Sequence, residues 1–560
     1  TNPTHHQNFF DFLITIAWQI LPPLFAMGEL WLRLFASALA PLGIVFLVSR
    51  FLTFNKLQKP SSSSRGVFTL TNLVCLLTLA SSLVMTTDSL YVHNYEGQGY
   101  GASLLVLSTV LILFLRSREN QEMQGILPVV ILTWGLTIWL SFDGSFRFPH
   151  DGMDIPLHIQ EGLYFSKQGV KGNDLPARIA HFWSEETRVY GSDATKWTPT
   201  GDSRTGIPFL LNTLGEMPHF VRVWVGNPQK DGDEVFGLGI AFPRRNDGTY
   251  FHSPSKPLYI VLHGLTGGTH ELLIVDFVKR CLAEGSTAIV MIARGLMDTP
   301  VMGWDMFHGA RVSDIAAAAG VVKNAVSKVY QQRQHEQGVK RAQPVVGVGY
   351  SMGGIVLNNY VARSGTSCDL DAAISVSGGL DMKEQMSFPR GRRLWEPLLV
   401  ERLRDEVILG KFGNRAKARL GHANMLAFQR AASIQALDAH STAVYNGYRN
   451  VKHYYSEMSA MGDFESIESV GRIGNVSIPL CIFHALDDPL ITWRAVAKIP
   501  PDVMVETGHG SLMFLLTKSG GHVGWPLGWN PTKEAWAFMN NAGIHFGNAV
   551  QLALEEKAKN

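Results

Sequence analysis

Residues 345–354 read VVGVGYSMGG, an apolar run that leads directly into a Gly-x-Ser-x-Gly pentapeptide. The stretch predicts a buried strand over 345–349 and a helix from Met352 onward, with Ser351 in the tight turn between them. Such a turn strains the serine backbone and exposes its hydroxyl group at the carboxyl end of the strand, above a helix N-terminus. A dinucleotide-binding motif is excluded, because Met352 occupies the last glycine position of Gly-x-Gly-x-x-Gly. Ser351 is therefore the candidate nucleophile.

Apolar strands and helical patterns alternate on both sides of this turn. The predicted strands cover 257–262, 287–293, 345–349, 370–377, 480–485 and 511–517, and the predicted helices cover 270–285, 313–332 and 352–363. Near-continuous apolar strands that alternate with helices are typical of a parallel sheet covered on both faces. The sequence thus predicts an α/β fold with a mostly parallel sheet.

This alternation is interrupted once. Residues 383–470 follow a helical pattern rich in Met, Leu and aromatic residues, and a single crossover needs far fewer residues. We interpret this interval as a helical lid inserted between two parts of the core, 251–382 and 471–560. Residues 144–250 carry weaker patterns, and we interpret them as a connecting segment that includes the start of the globular domain.

A nucleophilic serine needs a base, and the base needs an acid that orients it. In folds with this serine turn, the acid follows the serine along the chain and the histidine comes last. His522 follows the last predicted strand, and the glycines at 520–521 let the backbone bring its imidazole over the serine. His522 is therefore the predicted base, and His509, which precedes that strand, is interpreted as an ordinary loop histidine.

Two adjacent carboxyl groups follow the strand at 480–485. They belong to Asp487 and Asp488, and Pro489 starts a turn directly after them. Asp488 is the predicted acid because it lies nearest that turn. Asp487 and, after the preceding strand, Asp381 stay open as alternatives. Repulsion between the adjacent carboxylates would raise the pKa of one of them, and the sequence does not say which.

The negative charge that develops on an ester oxygen needs two N–H donors about 3 Å away. One predicted donor is the backbone N–H of Met352, directly after the nucleophile. The other is the backbone N–H of Leu265, in the glycine-rich loop HGLTGG at 263–268. His263 is interpreted as a buried histidine that fixes this loop, and not as a catalytic base.

The first 143 residues differ from the rest of the chain. Five runs without charged residues cover 12–28, 34–49, 66–87, 97–115 and 123–142. A helix of about 20 residues crosses the hydrocarbon core of a bilayer. The last three runs are long enough, whereas the first two are short and could form two spans or a re-entrant hairpin. We therefore predict an all-α transmembrane region of four or five helices over 1–143.

The basic residues between these runs predict an orientation. Arg50, Lys56, Lys59 and Arg65 lie between the second and third runs, Arg116 and Arg118 lie between the fourth and fifth, and 86–96 carries no Lys or Arg. Basic residues favour the cytosolic side of short loops. The chain is thus predicted to be a multi-pass membrane protein whose globular domain lies on the lumenal or extracellular face.

Composition narrows the function further. The chain carries 49 basic and 47 acidic residues, a net charge of +2, which excludes a basic nucleic-acid-binding protein and an acidic disordered tail. Its four cysteines are scattered and none forms a Cys-x-x-Cys pair, so neither a disulfide scaffold nor a zinc site is predicted. No motif predicts a cofactor.

Two of these motifs together resemble one family. HGLTGG at 263–268 and GYSMGGIVLNNY at 349–360 resemble the AB hydrolase type 4 group of α/β-hydrolases. That group includes bacterial YheT-like esterases, plant EMB8-like proteins, membrane-bound mammalian phospholipases and acylglycerol lipases, and yeast medium-chain ethyl-ester synthases. Further agreement lies in the stretch from 293–295 to Asp314, in 454–456 and in 486–489, and the resemblance covers roughly 220–545. It implies an α/β-hydrolase fold and places Ser351, Asp488 and His522 on the family's catalytic triad.

The chain departs from that family in two respects. Members usually have one N-terminal anchor or none, and the family's usual asparagine before the arginine-glycine turn is replaced by Ala293. Neither departure touches the triad. The extra spans leave room for membership in a membrane complex.

The leading functional hypothesis is a membrane-embedded serine hydrolase that cleaves acyl esters of lipids, either phospholipids or acylglycerols. Its expected partners are the lipid substrate and membrane lipids, without nucleic acid. Two alternatives stay open. The same acyl-enzyme could pass its acyl group to an alcohol, as in an acyltransferase, or the domain could be an inactive scaffold subunit of a membrane complex.

Overall fold

The computed structural model describes residues 155–558, apart from 157–158, 192, 196–197, 199, 214, 228–233, 338–340, 389–390, 392–394, 463–470, 529, 532–533 and 535. The transmembrane region predicted over 1–143 lies outside these residues. Among the helices that are described, none combines the length and apolar character needed to span a membrane.

The described residues form one nine-stranded sheet, with strand order β1-β9-β8-β7-β6-β4-β5-β3-β2. Its strands are β1 (Gly162–Phe165), β2 (Val221–Asn227), β3 (Glu234–Ala241), β4 (Leu258–Leu262), β5 (Ala288–Ile292), β6 (Val345–Tyr350), β7 (Ala372–Val376), β8 (Leu480–Ala485) and β9 (Leu512–Thr517). The six central strands, β5, β4, β6, β7, β8 and β9, are parallel, whereas β1 at one edge and β3 near the other run antiparallel to their neighbours. The predicted α/β fold with a mostly parallel sheet is confirmed.

Helices cover the sheet and fill the connections. They are α1 (Leu175–Phe182), α2 (Gly201–Leu211), α3 (Leu272–Ala283), α4 (Ser313–Gln337), α5 (Met352–Ser364), α6 (Glu396–Arg402), a π-helix (Leu403–Leu409), α7 (Gly410–Gln429), α8 (Ile434–His440), α9 (Thr442–Tyr445), α10 (Val451–Met458), α11 (Arg494–Ala497), α12 (Pro501–Met504) and α13 (Ala537–Lys557). Short 3₁₀ turns lie at Glu185–Thr187, Gly365–Ser367, Glu384–Ser387 and Gly471–Asn475.

Two apolar layers sandwich the central strands. Alternate side chains of a strand point to opposite faces, so each parallel strand contributes side chains to both apolar layers. In β4, Ile260 packs in the cluster that contains residues of α4 and α5, whereas Tyr259 packs in the cluster that contains residues of α3 and α13. All five residues of β4 are buried. This double burial explains why the central strands are apolar along their whole length.

A helical segment lies between β7 and β8. It runs from α6 to α10 and has an apolar cluster of its own, which includes Phe412 and Phe428 of α7 and Leu437 of α8. The domain boundaries predicted from the sequence, and the role of this segment as a lid, stay predictions.

The predicted strands agree with β4 to β9 to within two residues. The sequence patterns over 144–250 are too weak to predict individual elements. In that segment the structure contains β1, β2, β3, α1 and α2. It also adds α13, the long C-terminal helix that packs against α3 and α1.

Candidate active site

Ser351 lies in the turn between β6 and α5. Its backbone has φ 53° and ψ −118°, a conformation that residues with a side chain rarely adopt. The backbone N–H of Ser351 donates a hydrogen bond to the carbonyl oxygen of Val376 on the neighbouring strand, at 2.9 Å. The sheet therefore holds the turn in place. The strained backbone conformation of Ser351 is the one that the serine motif predicts.

The two glycines of the pentapeptide are needed for close packing. A Cβ atom at Gly353 would lie 2.3 Å from the carbonyl oxygen of Leu262, at the end of β4. One at Gly349 would lie 2.5 Å from the carbonyl oxygen of Gly353. A side chain at Gly353 would push the serine turn away from the end of β4, and one at Gly349 would clash within the turn itself.

Ser351, His522 and Asp488 meet in one chain of hydrogen bonds. His522 Nε2 lies 2.8 Å from Ser351 Oγ, and His522 Nδ1 lies 2.8 Å from Asp488 Oδ2. A carboxylate only accepts hydrogen bonds, so Nδ1 donates to it, and Nε2 of the neutral ring is left to accept from the serine hydroxyl. Three side chains that are far apart in sequence thus have the geometry of a nucleophile, a base and an orienting acid.

Asp488 is completely buried, yet its surroundings favour the charged form. Its Oδ1 accepts the backbone N–H groups of Leu490 at 2.8 Å and Ile491 at 2.9 Å. Burial alone would raise the pKa of Asp488, but the nearby His522 and these donors hold that pKa below its ordinary value. The carboxyl group behind the histidine is therefore ionised at neutral pH.

Asp487 points away from the imidazole. Its Oδ1 accepts the backbone N–H groups of Gly520 at 2.8 Å and Gly521 at 2.9 Å, and its Oδ2 pairs with Arg204 Nη1 at 2.9 Å. Burial raises the pKa of Asp487, and Asp488 adds a smaller repulsive contribution in the same direction. Asp487 thus holds the loop that carries His522.

The other residues weighed for the triad lie elsewhere. Asp381 Oδ1 accepts the backbone N–H of Lys383 at 3.0 Å, and the backbone carbonyl of His509 accepts from Asn173 Nδ2 at 2.9 Å. The structure therefore brings together the predicted serine, histidine and Asp488, but neither of these residues.

Helix α2 supports the histidine loop from the segment that the sequence left least defined. The hydroxyl oxygen of Thr205 accepts the backbone N–H of His522 at 2.8 Å. A Cβ atom at Gly201 would lie 1.8 Å from the carbonyl oxygen of Asp487, so the helix begins in direct contact with the acid loop. The sequence carries one signal for the start of this helix, the pair Thr200 and Ser203, which forms a capping box at the N-terminus of α2.

The two predicted oxyanion donors belong to the residue directly after Ser351 and to the loop after β4. Met352 is the first residue of α5, where a helix leaves its N–H groups without an acceptor inside the helix. Leu265 follows Gly264, and a Cβ atom at Gly264 would lie 3.8 Å from Ser351 Cβ, which places the loop beside the serine.

His263 fixes the loop that contains Leu265. It is only 4% exposed, its Nδ1 lies 2.7 Å from the carbonyl oxygen of Gly264, and its Nε2 accepts the backbone N–H of Ala293 at 3.4 Å. Burial lowers the pKa of His263 to about 4, so the ring is neutral at physiological pH. These contacts belong to a structural histidine, as the sequence indicated.

The described residues contain no group of three or more His, Cys, Asp or Glu that could hold a metal ion.

No protein-family model matches the chain. Among characterised proteins, it is 25% identical to the monoacylglycerol lipase of Saccharomyces cerevisiae over 280 residues, which cover 48% of this chain and 55% of that protein. It is 25% identical to phospholipase ABHD3 of Mus musculus over 295 residues, covering 51% of this chain and 63% of that protein. The chain thus resembles members of the α/β-hydrolase superfamily. These relatives confirm the resemblance to the AB hydrolase type 4 group.

A third relative is the embryogenesis-associated protein EMB8 of Picea glauca, 24% identical over 283 residues, which cover 49% of this chain and 54% of that protein. The chain thus spans about half to just under two thirds of the length of these three relatives. Among solved structures, the Pyrococcus furiosus esterase Pf2001 aligns with 61% of this chain and 97% of its own, at 12% identity and a TM-score of 0.33.

Proposed function

We propose that this chain is a serine hydrolase that cleaves carboxylic esters of lipids. The observation that carries the proposal is the continuous chain of hydrogen bonds from Ser351 Oγ through His522 to Asp488, with a distance of 2.8 Å at both contacts. A domain that served only as a scaffold would not need these three side chains in hydrogen-bond contact. The intact triad therefore favours an enzyme.

In the proposed reaction, Ser351 Oγ attacks the ester carbonyl while His522 Nε2 takes the hydroxyl proton. Asp488 stabilises the resulting imidazolium. The histidine then returns the proton to the leaving alcohol as the tetrahedral intermediate collapses to an acyl-enzyme. Water, activated by the same histidine, attacks the acyl-enzyme and releases the fatty acid.

The backbone N–H groups of Met352 and Leu265 are the proposed donors to the oxyanion. Such donors are effective because they are already aimed at the position where charge develops. The first stands at the N-terminus of α5, whose dipole also favours negative charge.

A lipid substrate is supported by the relatives and by the sequence. The names of two relatives, a monoacylglycerol lipase and a phospholipase, describe enzymes of lipid esters. The apolar runs over 1–143 would hold the domain at a bilayer, where such substrates reside. Transfer of the acyl group to an alcohol would use the same residues, and product analysis with a competing alcohol separates it from hydrolysis.

Attachment through the predicted transmembrane region, with the globular domain on the lumenal or extracellular face, is part of this proposal. It rests on the distribution of Lys and Arg between the apolar runs. Digestion of the domain by protease added to the cytosolic side of sealed vesicles would contradict it.

A fluorophosphonate probe tests the enzyme directly, because it reacts with a serine only when the base and the acid are in place. We expect the wild type to be labelled and Ser351→Ala to be unlabelled, with lipid ester hydrolysis reduced by about 10⁴–10⁶-fold. Ser364→Ala, at the far end of the same helix, is the matched control and should be labelled like the wild type. Equal labelling of Ser351→Ala, or no labelling of the wild type, would overturn the proposal.

A further inference from the structure

A carboxyl group lies inside the loop that would bind the oxyanion. Glu271 Oε2 accepts the backbone N–H of Gly264 at 3.3 Å. The loop closes on itself through the N–H of Gly267, which donates to the carbonyl oxygen of Gly264 at 3.2 Å. The first glycine of the loop is therefore held from two sides, by its own turn and by the glutamate.

The loop leaves no space between its glycines and this carboxyl group. A Cβ atom at Gly267 would lie 2.1 Å from Glu271 Oε2, and one at Gly264 would lie 3.2 Å from Glu271 Oε1. The same Cβ position at Gly264 is 3.8 Å from Ser351 Cβ. The glutamate and the nucleophile thus approach the same short stretch of backbone.

Glu271 occupies the N-cap position of α3, yet its side chain makes no capping hydrogen bond to that helix. An N-cap side chain ordinarily satisfies a free N–H of the first helical turn. Here it turns back into the preceding loop, which indicates that its position serves the loop and not the helix.

We propose that Glu271 is a positioning residue for ester cleavage, one whose carboxyl group fixes the Gly264 backbone and thereby aims the N–H of Leu265 at the oxyanion, and whose proton controls how well that site holds negative charge. The inference rests on the proposed function. It adds a residue that neither the serine motif nor the triad requires.

The proton matters because a carboxylate beside a developing oxyanion repels it, whereas a neutral acid does not. Burial raises the pKa of Glu271 to about 7, although the N–H of Gly264 opposes the shift. Charged and titratable groups near this carboxyl come from several elements: Arg402 of α6, His522 of the loop after β9 and Tyr350 at the end of β6. His263 and His270 lie against the neighbouring glycines Gly267 and Gly268. Glu271 is therefore neutral in mildly acidic solution and becomes charged across the neutral range.

Two variants separate position from charge. Glu271→Gln keeps an oxygen that can accept from Gly264 but cannot ionise, whereas Glu271→Ala removes the contact. On a neutral ester, with active sites counted by titration, we expect Glu271→Ala to lower kcat by about 10–100-fold with little change in KM. Glu271→Gln should restore kcat, and the ratio of its kcat/KM to that of the wild type should rise between about pH 6 and about pH 9.

Hydrogen exchange over 257–271 supplies a readout that does not depend on turnover. We expect faster exchange of this peptide in Glu271→Ala and wild-type exchange in Glu271→Gln. Glu284→Ala, at the exposed opposite end of α3, is the matched control and should leave both measurements unchanged.

A Glu271→Ala variant with wild-type kcat, a level ratio across that pH range, or unchanged exchange in Glu271→Ala would overturn the inference. A wild type without esterase activity would contradict the proposed function instead, and the exchange measurement would still decide whether Glu271 holds the loop.

Discussion

Among the regions of the molecule that bury a carboxyl group, two act on it in opposite ways, the loop after β8 and the helical segment between β7 and β8. In the loop after β8, Asp488 receives two backbone N–H groups and the imidazole of His522, and its pKa lies below the ordinary value. In the helical segment between β7 and β8, Asp438 of α8 accepts the hydroxyl of Tyr455 at 3.1 Å and lies near a second acid, Glu396. Burial raises the pKa of Asp438 to about 7.

The difference lies in the donors and not in the depth of burial. Backbone N–H groups and a histidine stabilise a negative charge more strongly than hydroxyl groups do, and a neighbouring carboxylate opposes it. Asp488, the carboxyl group next to the histidine, is thus held as an anion, as the proposed reaction needs. The helical segment tolerates its acid mainly in the neutral form.

The largest effect should come from removing the charge at the first site. In Asp488→Asn, the amide can no longer balance an imidazolium and can force the wrong tautomer on His522. We expect kcat for ester hydrolysis to fall by about 10³–10⁴-fold, with an unchanged circular dichroism spectrum. A loss of less than about tenfold would break the comparison, because Asp488 would then have no more than a structural role.

Its neighbour is the matched control. Asp487→Asn makes the same chemical change one residue away, but there it weakens the hold on Gly520 and Gly521 and the pairing with Arg204. The imidazole keeps its acid, so kcat should fall by only about tenfold, through a less well placed loop. Equal losses in the two variants would show that the two carboxyl groups are not distinguished as their hydrogen bonds indicate.

An effect of another kind, on stability and not on turnover, is expected at the second site. The pKa of Asp438 is about 7 in the folded chain against 3.8 when exposed, so the folded state binds a proton that the unfolded state releases as the pH rises. The stability contributed by the neutral acid is complete below about pH 4 and is lost as the pH rises through about 7. Asp438→Asn lacks this dependence and should gain on the wild type with rising pH, by at most about 4 kcal/mol.

Thermal unfolding at about pH 5 and about pH 8 measures that gain. Asp405→Asn, on the exposed surface of the same segment, should show almost no pH-dependent difference from the wild type. A constant offset between Asp438→Asn and the wild type at the two pH values would mean that Asp438 is ionised in the folded protein throughout.

The central strands could be predicted because burial on both faces makes them apolar throughout, as in β4 and β6. The edge strands are not buried on both faces, so this pattern does not identify them. In β2, Val221 and Trp224 are exposed, 44% and 47%, although the composition is that of a core strand. Helix α2 was hidden for another reason, since it contains Gly206 and Pro208, which are poor residues for a helix interior.

The candidate site divides along similar lines. The serine turn has a local signature, so Ser351 and Met352 could be assigned from a few residues. The assignment of Asp488 over Asp487 depends on which of the two adjacent side chains faces the imidazole of His522, and that is decided by the contacts of Asp487 with Arg204 and the loop backbone. Glu271 carries no motif, because its role depends on a side chain that turns back from its helix into the preceding loop.

The contact between α2 and the histidine loop has a consequence for biosynthesis. Thr205 is translated more than three hundred residues before His522, whose backbone N–H it accepts. A ribosome-bound chain that already contains the serine and the acid still lacks the base, although the helix that receives the histidine loop has already been synthesised. Hydrolytic competence should therefore arise in one late step, when the loop that carries His522 docks on α2.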